Sequence, residues 1–412
     1  MKNLIFLVFR GILFFMPVSN FFAQAIPHCG NSPEWEAELS DPVQQARRQV
    51  MEAAIAEAMQ RDDAITSRSP IVIPVVVHVV WRDPEENIDD ARIWSQIERL
   101  NLDFNAENED IDQVPDEFKP FVGNPGIRFC LAAEDPAGNP TNGIVRVQTT
   151  ERGIAMKRDN LFYSDRGGSN AWDPTRYLNI WTGDDFTPNG ISVTGYAYSP
   201  WTETPERSGI VISLDFFGIN DSRLGMGRLA VHEVGHYLGL RHIWGDNSPP
   251  TCNDDDGISD TPNQFFYNFN CPSYPQHSCD GTSNMFMNYM DYVYDRCMMM
   301  FTKEQTQLMN AVLALYRPGL LNTTIPCVQK PERVFADAFT VYPNPARRAI
   351  YLNFAEQVAE PGEILLYNIN GRVVFREFFI LRNGMEVMLH DLIPGMYFLR
   401  IGESMRKLIV HP

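Results

Sequence analysis

The segment from His232 to His242 constrains the fold of this 412-residue chain more than any other feature. It reads HEVGHYLGLRH and fits the pattern HExxHxxGxxH at every fixed position. Residues i and i+4 project from one face of a helix, so His232 and His236 can direct imidazole nitrogens at one ion about 2 Å away. Gly239 lacks a Cβ and can leave the helix with a positive φ, which turns the chain so that His242 becomes a third ligand.

The residue types in this segment predict a hydrolytic zinc centre. Three neutral histidines leave a fourth zinc position for water, and such sites lower the pKa of water to about 7. Glu233 lies beside the ligands and is not needed as one, so we expect it to act as general base and then general acid in peptide-bond hydrolysis. Structural zinc sites usually have four protein ligands, and no fourth is adjacent here. The alternative is a secreted binding or adhesin-like protein with a vestigial or structural zinc site.

The start of the chain and its charge predict an exported protein. An apolar run ends at Ala23-Gln24-Ala25, which suits signal peptidase, so residues 1–25 are predicted to be a signal peptide. A membrane anchor is the alternative, but the run is short and is interrupted by Arg10. The net charge of -18 argues against nucleic acid and anionic membranes as partners. No later segment is apolar enough to span a membrane, and the expected partners are protein or peptide substrates.

The region around the histidines reads as an α/β domain. The continuous β-branched run from 71 to 80 is typical of a strand buried on both faces, and Ile93, Ile97 and Leu100 recur at helical spacing in a predicted helix from 90 to 105. Further strands are predicted at 127–132, 178–181 and 209–214. A polar helix around 42–61 precedes this body. The predicted organisation is a pro-segment at 26–68, a catalytic domain at 69–328, a linker at 329–337 and a C-terminal domain at 338–412.

The extended motif resembles the pappalysin family of the metzincin clan over roughly residues 70–320. The resemblance depends on Trp244-Gly245-Asp246 directly after the third histidine and on Asn288-Tyr289-Met290-Asp291-Tyr292 downstream. It implies a catalytic domain with a mixed twisted sheet and a zinc-binding active-site helix. It also implies that Met290 lies beneath the zinc, and that Tyr292 approaches the metal and steadies the oxyanion of the tetrahedral intermediate.

Seven cysteines in an exported chain predict disulfides, and the four between 252 and 297 allow three connectivities. The resemblance implies the pairs Cys252–Cys279 and Cys271–Cys297. It also implies a structural Ca²⁺ ion in the acidic stretch from 254 to 262, because carboxylate and carbonyl oxygens are the ligands that calcium prefers. We expect Asp256, Asp260 and the backbone of Thr261 to contribute, with a solvated acidic loop as the alternative.

One residue departs from the family pattern. Arginine-preferring members carry an aspartate just before the last of these cysteines, at the floor of the S1′ pocket, where this chain has Arg296. A buried guanidinium would repel a basic P1′ side chain and could pair with an acidic one. Arg296 therefore predicts a preference for acidic or non-basic P1′ residues, unless the adjacent Asp295 occupies the pocket instead.

The remaining cysteines suggest a latency device and a third disulfide. Cys29 follows the predicted signal peptide and has no evident partner, so we expect its thiolate to hold the open zinc position until the pro-segment is removed. A free or intermolecularly paired cysteine is the alternative. Cys130 and Cys327 are left as a possible pair on arithmetic alone.

The C-terminal region has a different pattern from the catalytic region. Short alternating segments separated by Asn370-Gly371 and Pro394-Gly395 predict a small antiparallel β-sandwich. Alone it could be an adhesion or carbohydrate module. The blocks beginning at Phe339, Leu366 and Leu392 resemble the C-terminal sorting domains of the type IX secretion system. This resemblance implies export through the type IX machinery and a location outside the cell or on its surface.

Overall fold

The computed structural model describes the chain in twelve stretches. They are 28–29, 41–60, 70–185, 193–201, 204–219, 225–245, 250–279, 281–329, 339–354, 359–389, 392–402 and 404–411. The predicted signal peptide lies outside the described residues. So do most of the predicted pro-segment outside its helix and all of the predicted linker except Gln329.

The catalytic region is built on one mixed seven-stranded sheet. Its strands are β1 (His28–Cys29), β2 (Ile71–Trp81), β3 (Ile127–Leu131), β4 (Ile144–Gln148), β5 (Leu178–Gly183), β6 (Val193–Ala197) and β7 (Ile210–Ser213). The order is β1-β6-β7-β5-β2-β3, with β4 also paired to β2. Strand β6 runs antiparallel to β7, whereas β2, β3, β4, β5 and β7 pair in parallel. Strand β2 is buried along almost its whole length because helices and loops cover both faces.

Six helices accompany these strands in the described part of the chain. They are α1 (Pro42–Gln60), α2 (Asp90–Asp103), α3 (Arg158–Leu161), α4 (Arg228–Tyr237), α5 (Lys303–Tyr316) and α6 (Pro318–Leu321). Asp89 caps α2 by accepting a hydrogen bond from the backbone N–H of Arg92. Thr302 and Gln305 form a capping box at the start of α5. Among the described residues, no helix is long and apolar enough to span a bilayer.

The predicted mixed α/β fold is confirmed, and the predicted elements differ from the observed ones by two residues at most. The strand predicted at 71–80 extends to Trp81, and the helix predicted at 90–105 ends at Asp103. Strands β1 and β4 were not predicted. Strand β4 alternates half-buried and exposed positions at the sheet periphery, so its hydrophobic signal is weak.

Disulfides hold the loop-rich region that follows α4. The structure pairs Cys252 with Cys279 and Cys271 with Cys297, which are the pairs that the resemblance implies. It also joins Cys130, on β3, to Cys327. The described residues from 250 to 302 contain only one short 3₁₀ helix and isolated bridges, so these covalent links constrain a segment with few ladder hydrogen bonds.

The C-terminal region forms an all-β sandwich with its own apolar core. One sheet contains β8 (Phe339–Tyr342), β9 (Ala349–Phe354) and β12 (Met385–Met388). The other contains β10 (Ala359–Asn368), β11 (Val373–Arg382), β13 (Gly395–Ile401) and β14 (Ser404–Val410), all antiparallel. Ile350 and Leu352 from the first sheet pack with Leu366 and Leu399 from the second.

Candidate metal centre and active site

The three histidines of the motif converge on one point. The Nε2 atom of His236 lies 3.1 Å from the Nε2 atoms of both His232 and His242. Nitrogens about 2 Å from a tetrahedral zinc ion lie slightly more than 3 Å apart, so the donor set fits zinc. Among the described residues, these three form the only group of His, Cys, Asp or Glu side chains able to hold a metal ion together.

Backbone carbonyls fix the orientation of two of the imidazole rings. The Nδ1 atom of His232 lies 2.6 Å from the carbonyl oxygen of Tyr289, and that of His236 lies 2.8 Å from the carbonyl oxygen of Leu240. Donation from Nδ1–H leaves the Nε2 lone pair free for a metal. Burial lowers the pKa of His232 and His242 well below the ordinary value, and the neighbouring His236 lowers both further. Both rings are therefore neutral, as metal ligands must be.

Gly239 makes the turn that brings the third histidine to the other two. Its φ is +91°, in the region that favours glycine, and it follows the end of α4 by two residues. A Cβ at this position would lie 2.9 Å from a methyl carbon of Val312 on α5. Both the backbone conformation and the close packing therefore require glycine here.

Glu233 lies next to strand β6 of the sheet. Its side chain is fully buried on the same helix as His232 and His236. Gly195 on β6 faces it, and a Cβ there would come within 3.0 Å of Glu233 Oε1. Gly195 therefore gives the carboxylate its space. Sequence reasoning missed this role, although an isolated glycine within a strand pattern often marks close approach of another group.

Met290 packs against α4 between the first two ligands. A Cβ on Gly235 would lie 2.6 Å from the Met290 sulfur, so the thioether and the helix backbone are in direct contact. The backbone N–H of Met290 donates to Asn288 Oδ1, and Asn288 is in turn held by Gln305 on α5. Met290 therefore lies against the helix that carries the histidines, at the residue before His236.

Tyr292 lies in an aromatic cluster beside the third ligand. Its ring centroid is 4.9 Å from that of His242, 4.7 Å from that of Trp244 and 5.2 Å from that of Tyr267. The indole of Trp244 stacks on the imidazole of His242 at 4.4 Å with only 7° between the planes. Trp244 and Tyr267 were not predicted as site residues, because the sequence does not show which aromatic rings meet.

A narrow pocket opens next to the first zinc ligand. Its walls come from β6, α4, Phe216 and the segment that follows Met290. The lining residues are Thr194, Phe216, Leu229, His232, Asp291, Tyr292, Val293, Tyr294, Asp295 and Met298. The resemblance implies an S1′ pocket near the residue before Cys297, and this pocket, lined by Asp295 and Met298, lies at that place.

The expectation that Arg296 forms the floor of this pocket is wrong. Arg296 is exposed and does not line the cavity; its guanidinium carbon lies 5.4 Å from the ring centroid of Tyr294. The adjacent Asp295 is buried and does line it. Residues 295–297 form a 3₁₀ turn, in which neighbouring side chains point in different directions, so one position in sequence decides which residue enters the pocket.

Asp295 also ties the pocket to the start of the histidine helix. Its Oδ2 atom accepts hydrogen bonds of 3.0 Å from the backbone N–H groups of Met226 and Arg228. Burial raises the pKa of Asp295 to about 6, although these two N–H groups lower it. At neutral pH the carboxylate is therefore ionised, and the helix N-terminus stabilises its charge.

A buried ionic cluster lies beneath this point. The Arg228 guanidinium donates to Asp110 at 2.6 Å through two nitrogens and to Asp103 at 3.2 Å. Arg99 bridges Asp103 and Glu109. Both guanidinium groups are within 1% of complete burial. With Asp295 included, four carboxylates surround two guanidinium groups, so the region has an excess of negative charge whenever the carboxylates are ionised.

The acidic loop brings Asp256 and Asp260 into the structure in different ways. Asp256 is 5% exposed; its Oδ1 accepts from Thr261 Oγ1 and from the Ile258 N–H, whereas its buried Oδ2 has no hydrogen-bond partner among the described residues. Burial raises the pKa of Asp256 to about 8. Asp260 is half-buried and accepts from the N–H of Glu304. Among the described residues, no further acidic side chain joins these two aspartates to form a group of three around one point.

The backbone of Cys29 lies beside strand β6, opposite Gly195. Strand β1 adds in parallel to the outer edge of β6, with Cys29 paired to Gly195 and His28 to Val193. Gly195 is the residue that contacts Glu233, so this strand runs directly past the predicted general base. Strand β1 thus occupies the outer edge of β6.

Comparisons with known proteins agree with this geometry. A family model described as pregnancy-associated plasma protein-A matches residues 163–314, and a model of the secretion system C-terminal sorting domain matches residues 340–411. An extracellular metalloprotease of Arthroderma benhamiae is 38% identical over 276 residues, which cover 65% of this chain and 80% of that protein.

Two solved structures of Tannerella forsythia proteins are also similar. A promirolysin mutant shares 40% identity, with a TM-score of 0.65 over 71% of this chain and 96% of that one. Mature mirolysin in complex with a cleaved peptide shares 44% identity, with a TM-score of 0.55 over 62% of this chain and 99% of that one.

The fold, the three-histidine site and these matches define the class of protein: a secreted or surface-located zinc-dependent endopeptidase. The chain belongs to the pappalysin family of metzincins, and it carries a type IX sorting domain at its C-terminal end. The predictions of family, enzyme class, zinc and extracellular location are thereby confirmed, and the adhesin alternative is not favoured.

Proposed function

We propose that Glu233 and Tyr292 carry out the proton transfer and oxyanion stabilisation of peptide hydrolysis, with His232, His236 and His242 as zinc ligands. The zinc ion, when bound, supplies a Lewis acid that polarises the scissile carbonyl and acidifies water. Glu233 takes the proton of the attacking water and delivers it to the leaving amine. Tyr292 donates a hydrogen bond to the oxygen that becomes negative in the transition state.

The observation that carries this proposal is the burial of Glu233 on the same helix as two ligands, with Gly195 leaving space at its carboxylate. Glu233→Gln keeps the shape and removes the base, so kcat should fall by about 10² to 10⁴ with zinc content unchanged. Metal analysis and hydrolysis of a protein substrate by the processed enzyme test this. Cleavage at the wild-type rate by the zinc-loaded variant would overturn the mechanism.

We propose that the enzyme prefers a basic residue at P1′. Asp295 supports this, because its carboxylate is ionised at neutral pH and lies on the wall of the pocket beside His232. A guanidinium or ammonium group would enter this field favourably. This replaces the preference for acidic residues predicted from Arg296.

The adjacent pair of residues provides a matched test of specificity. Asp295→Asn retains an oxygen acceptor for the two backbone N–H groups and should lower kcat/KM for substrates with Arg at P1′ by roughly 10- to 100-fold, while cleavage before Leu changes little. Arg296→Gln should change either rate by less than about threefold, since exposed charges contribute little. If Arg296→Gln rather than Asp295→Asn shifts the P1′ preference in a peptide library, this assignment is wrong.

We propose that residues 26–68 act as an inhibitory pro-segment and that the thiolate of Cys29 holds the open zinc position. The parallel pairing of β1 with β6 supports this, because Cys29 lies opposite Gly195, next to Glu233. Cys29→Ser in the uncut chain should then give measurable hydrolysis of a short peptide, whereas the wild-type uncut chain gives none. Equal latency of both proteins would refute the thiolate switch.

We propose that the acidic loop binds a structural calcium ion through Asp256, Asp260 and the Thr261 backbone. The unpartnered, buried Oδ2 of Asp256 is the main support, because a buried carboxylate oxygen without a donor needs a cation or a proton. Added Ca²⁺ should raise the melting temperature of the wild-type chain by several degrees and leave that of Asp256→Asn unchanged. If added Ca²⁺ does not change the melting temperature of the wild-type chain, the proposed site is excluded.

We propose that the type IX secretion machinery recognises the C-terminal sandwich as an export address. The sorting-domain match over residues 340–411 supports this. A chain truncated before Phe339 should remain in the periplasm of a host that uses this system, whereas the full chain reaches the medium or cell surface. Export of the truncated chain at the wild-type level would contradict the proposal.

A further inference from the structure

Helix α1 of the pro-segment covers a surface of the catalytic body that is separate from strand β1 and its pairing with β6. We call this surface the α1 dock and define it as Trp201, Arg241, Leu308, Val312 and Tyr316. The helix presents to it a stripe at positions i, i+3, i+4, i+7 and i+11. The stripe consists of Arg48, Met51, Glu52, Ile55 and Met59.

Two apolar side chains anchor the helix in the dock. Ile55 is 4% exposed and shares a buried cluster with Val312 on α5, and Met51 is 6% exposed. On the same helix, Val43 is 71% and Val50 is 70% exposed. Burial is therefore confined to one face, as in an amphipathic helix bound in a groove.

An ion pair and a cation–π contact flank these anchors. Glu52 Oε1 accepts a hydrogen bond of 2.5 Å from Arg241 of the body and one of 2.8 Å from Arg48 of its own helix. The Arg48 guanidinium carbon lies 5.3 Å from the ring centroid of Trp201. The charge on the dock, Arg241, thus matches an acidic residue on the helix.

The dock adjoins the zinc motif from behind. Val312, which packs with Ile55, is also the residue against which Gly239 turns, and Arg241 immediately precedes His242. An occupant of the dock therefore braces the turn that carries the third histidine. None of these contacts involves strand β1, which lies on the edge of β6.

We propose that the α1 dock binds the pro-segment helix independently of the Cys29 strand and retains it after the chain is cut between α1 and β2. This rests on the proposed pro-segment role of residues 26–68. The cut pro-segment then remains on the enzyme as a bound helix until it is degraded or diluted. A ligand that binds only the folded body also stabilises it.

The full chain provides the test. It carries Glu233→Gln to prevent self-digestion, Cys29→Ser to remove the thiol, and a site for a sequence-specific protease between Arg61 and Pro70. After cleavage, size-exclusion chromatography over a concentration series measures whether the fragment that contains α1 stays with the body. Three further variants are compared in this background: Ile55→Ala, Glu52→Gln and, as the matched control on the exposed face, Val50→Ala.

We expect the fragment to co-elute with the body at micromolar concentration in the background protein and in Val50→Ala. Ile55→Ala should weaken retention by roughly 30-fold or more, since it removes a buried anchor. Glu52→Gln should weaken it by about 3- to 10-fold. Glu52 is polar and half-buried, so Glu52→Gln tests the dock without leaving a cavity in an apolar core. Thermal unfolding of each uncut variant checks that the body remains folded.

Two results would overturn the proposal. One is immediate loss of the fragment from the Cys29→Ser background on cleavage; the other is equal retention of Ile55→Ala and Val50→Ala. Neither result bears on the thiolate switch, which is tested separately by activity of an uncut chain with intact Glu233. A chain can therefore lose latency with Cys29→Ser and still retain its helix, or the reverse.

Discussion

The catalytic body and the C-terminal sandwich differ in whether they bury charged side chains. The body buries Arg99, Arg228 and Asp103 almost completely, next to the helix that carries the zinc ligands. In the described residues of the sandwich, no charged side chain is buried, and the core is composed of residues such as Leu366 and Leu399. Apolar burial is sufficient for the core of the C-terminal sandwich, whereas the peptidase retains buried charge beside its zinc site.

This difference has an energetic side. Replacing a buried ion pair with well-packed apolar residues is often neutral or stabilising, so the cluster around Arg228 is weak evidence for stability as such. The cluster instead fixes the start of α4, because Arg228, its first residue, is bound to Asp110 and Asp103. Asp295 accepts a hydrogen bond from the backbone of the same residue on the pocket side. We therefore expect removal of the cluster to affect both stability and the pocket.

The largest expected effect is from breaking the ionic cluster. Arg228→Leu leaves Asp103 and Asp110 buried without their cation and should destabilise the body by about 3–5 kcal/mol. Arg128→Leu, which removes an exposed partner of Glu107, should cost less than about 1 kcal/mol. Calorimetry or denaturant unfolding of the full chain measures both. Similar losses in the two variants would mean that buried charge has no special weight in the body.

The reciprocal experiment is in the sandwich. Leu366 is fully buried, so Leu366→Ala should destabilise this domain by about 2–5 kcal/mol through lost burial and a cavity. Peptide hydrolysis by the catalytic body should not change, because the sandwich core is a separate cluster. Val373→Ala, at a site 40% exposed, is the control and should have little effect. A loss of kcat in Leu366→Ala would show that the two cores are coupled.

A smaller effect is expected at the stacked ring beside the third ligand. Trp244→Leu removes the face that packs on His242, so the apparent zinc affinity should fall by roughly 10-fold. Competition with a chromophoric chelator measures the zinc affinity without an activity assay. Phe265→Leu, at a ring 47% exposed, should leave it unchanged. If zinc affinity is unaffected by loss of Trp244, carbonyl contacts alone orient the ligands.

The smallest expected effect is a pH dependence in the acidic loop. Without a cation, the pKa of Asp256 is raised from 3.8 to about 8, so its contribution to stability is complete below about pH 4 and is lost as the pH rises to about 8. Calcium binding favours the ionised carboxylate, so the calcium-induced rise in melting temperature should grow over this range. Asp256→Asn should show no calcium-induced increment at any pH in this range. A wild-type increment that shrinks with pH would contradict this linkage.

Much of the fold could be predicted because its signals are local. The β-branched run of β2, the helical spacing in α2 and the histidine motif each contain their own evidence, and the structure reproduces them within two residues. The weakly patterned β4 and the two-residue β1 were missed. Both depend on pairing partners far away in sequence.

The chemistry of the site was less predictable where it depends on side-chain direction. The zinc ligands follow from spacing alone, but the choice between Asp295 and Arg296 depends on one 3₁₀ turn. The roles of Gly195 and Trp244 depend on which strand and which ring face the helix. Such contacts are long-range, and composition and periodicity do not encode them individually.

The disulfide between Cys130 and Cys327 has a consequence for the protein's life outside the cell. Around it, the backbone N–H of Ala133 donates to the carbonyl of Pro326, and that of Val328 donates to the carbonyl of Leu131. The end of the catalytic body is therefore joined to strand β3 by a disulfide and by backbone hydrogen bonds. An exopeptidase digesting from the C-terminus would meet a crosslinked, hydrogen-bonded stop at this point. Removal of the residues after Cys327 by such a peptidase would therefore leave the catalytic body crosslinked to its sheet.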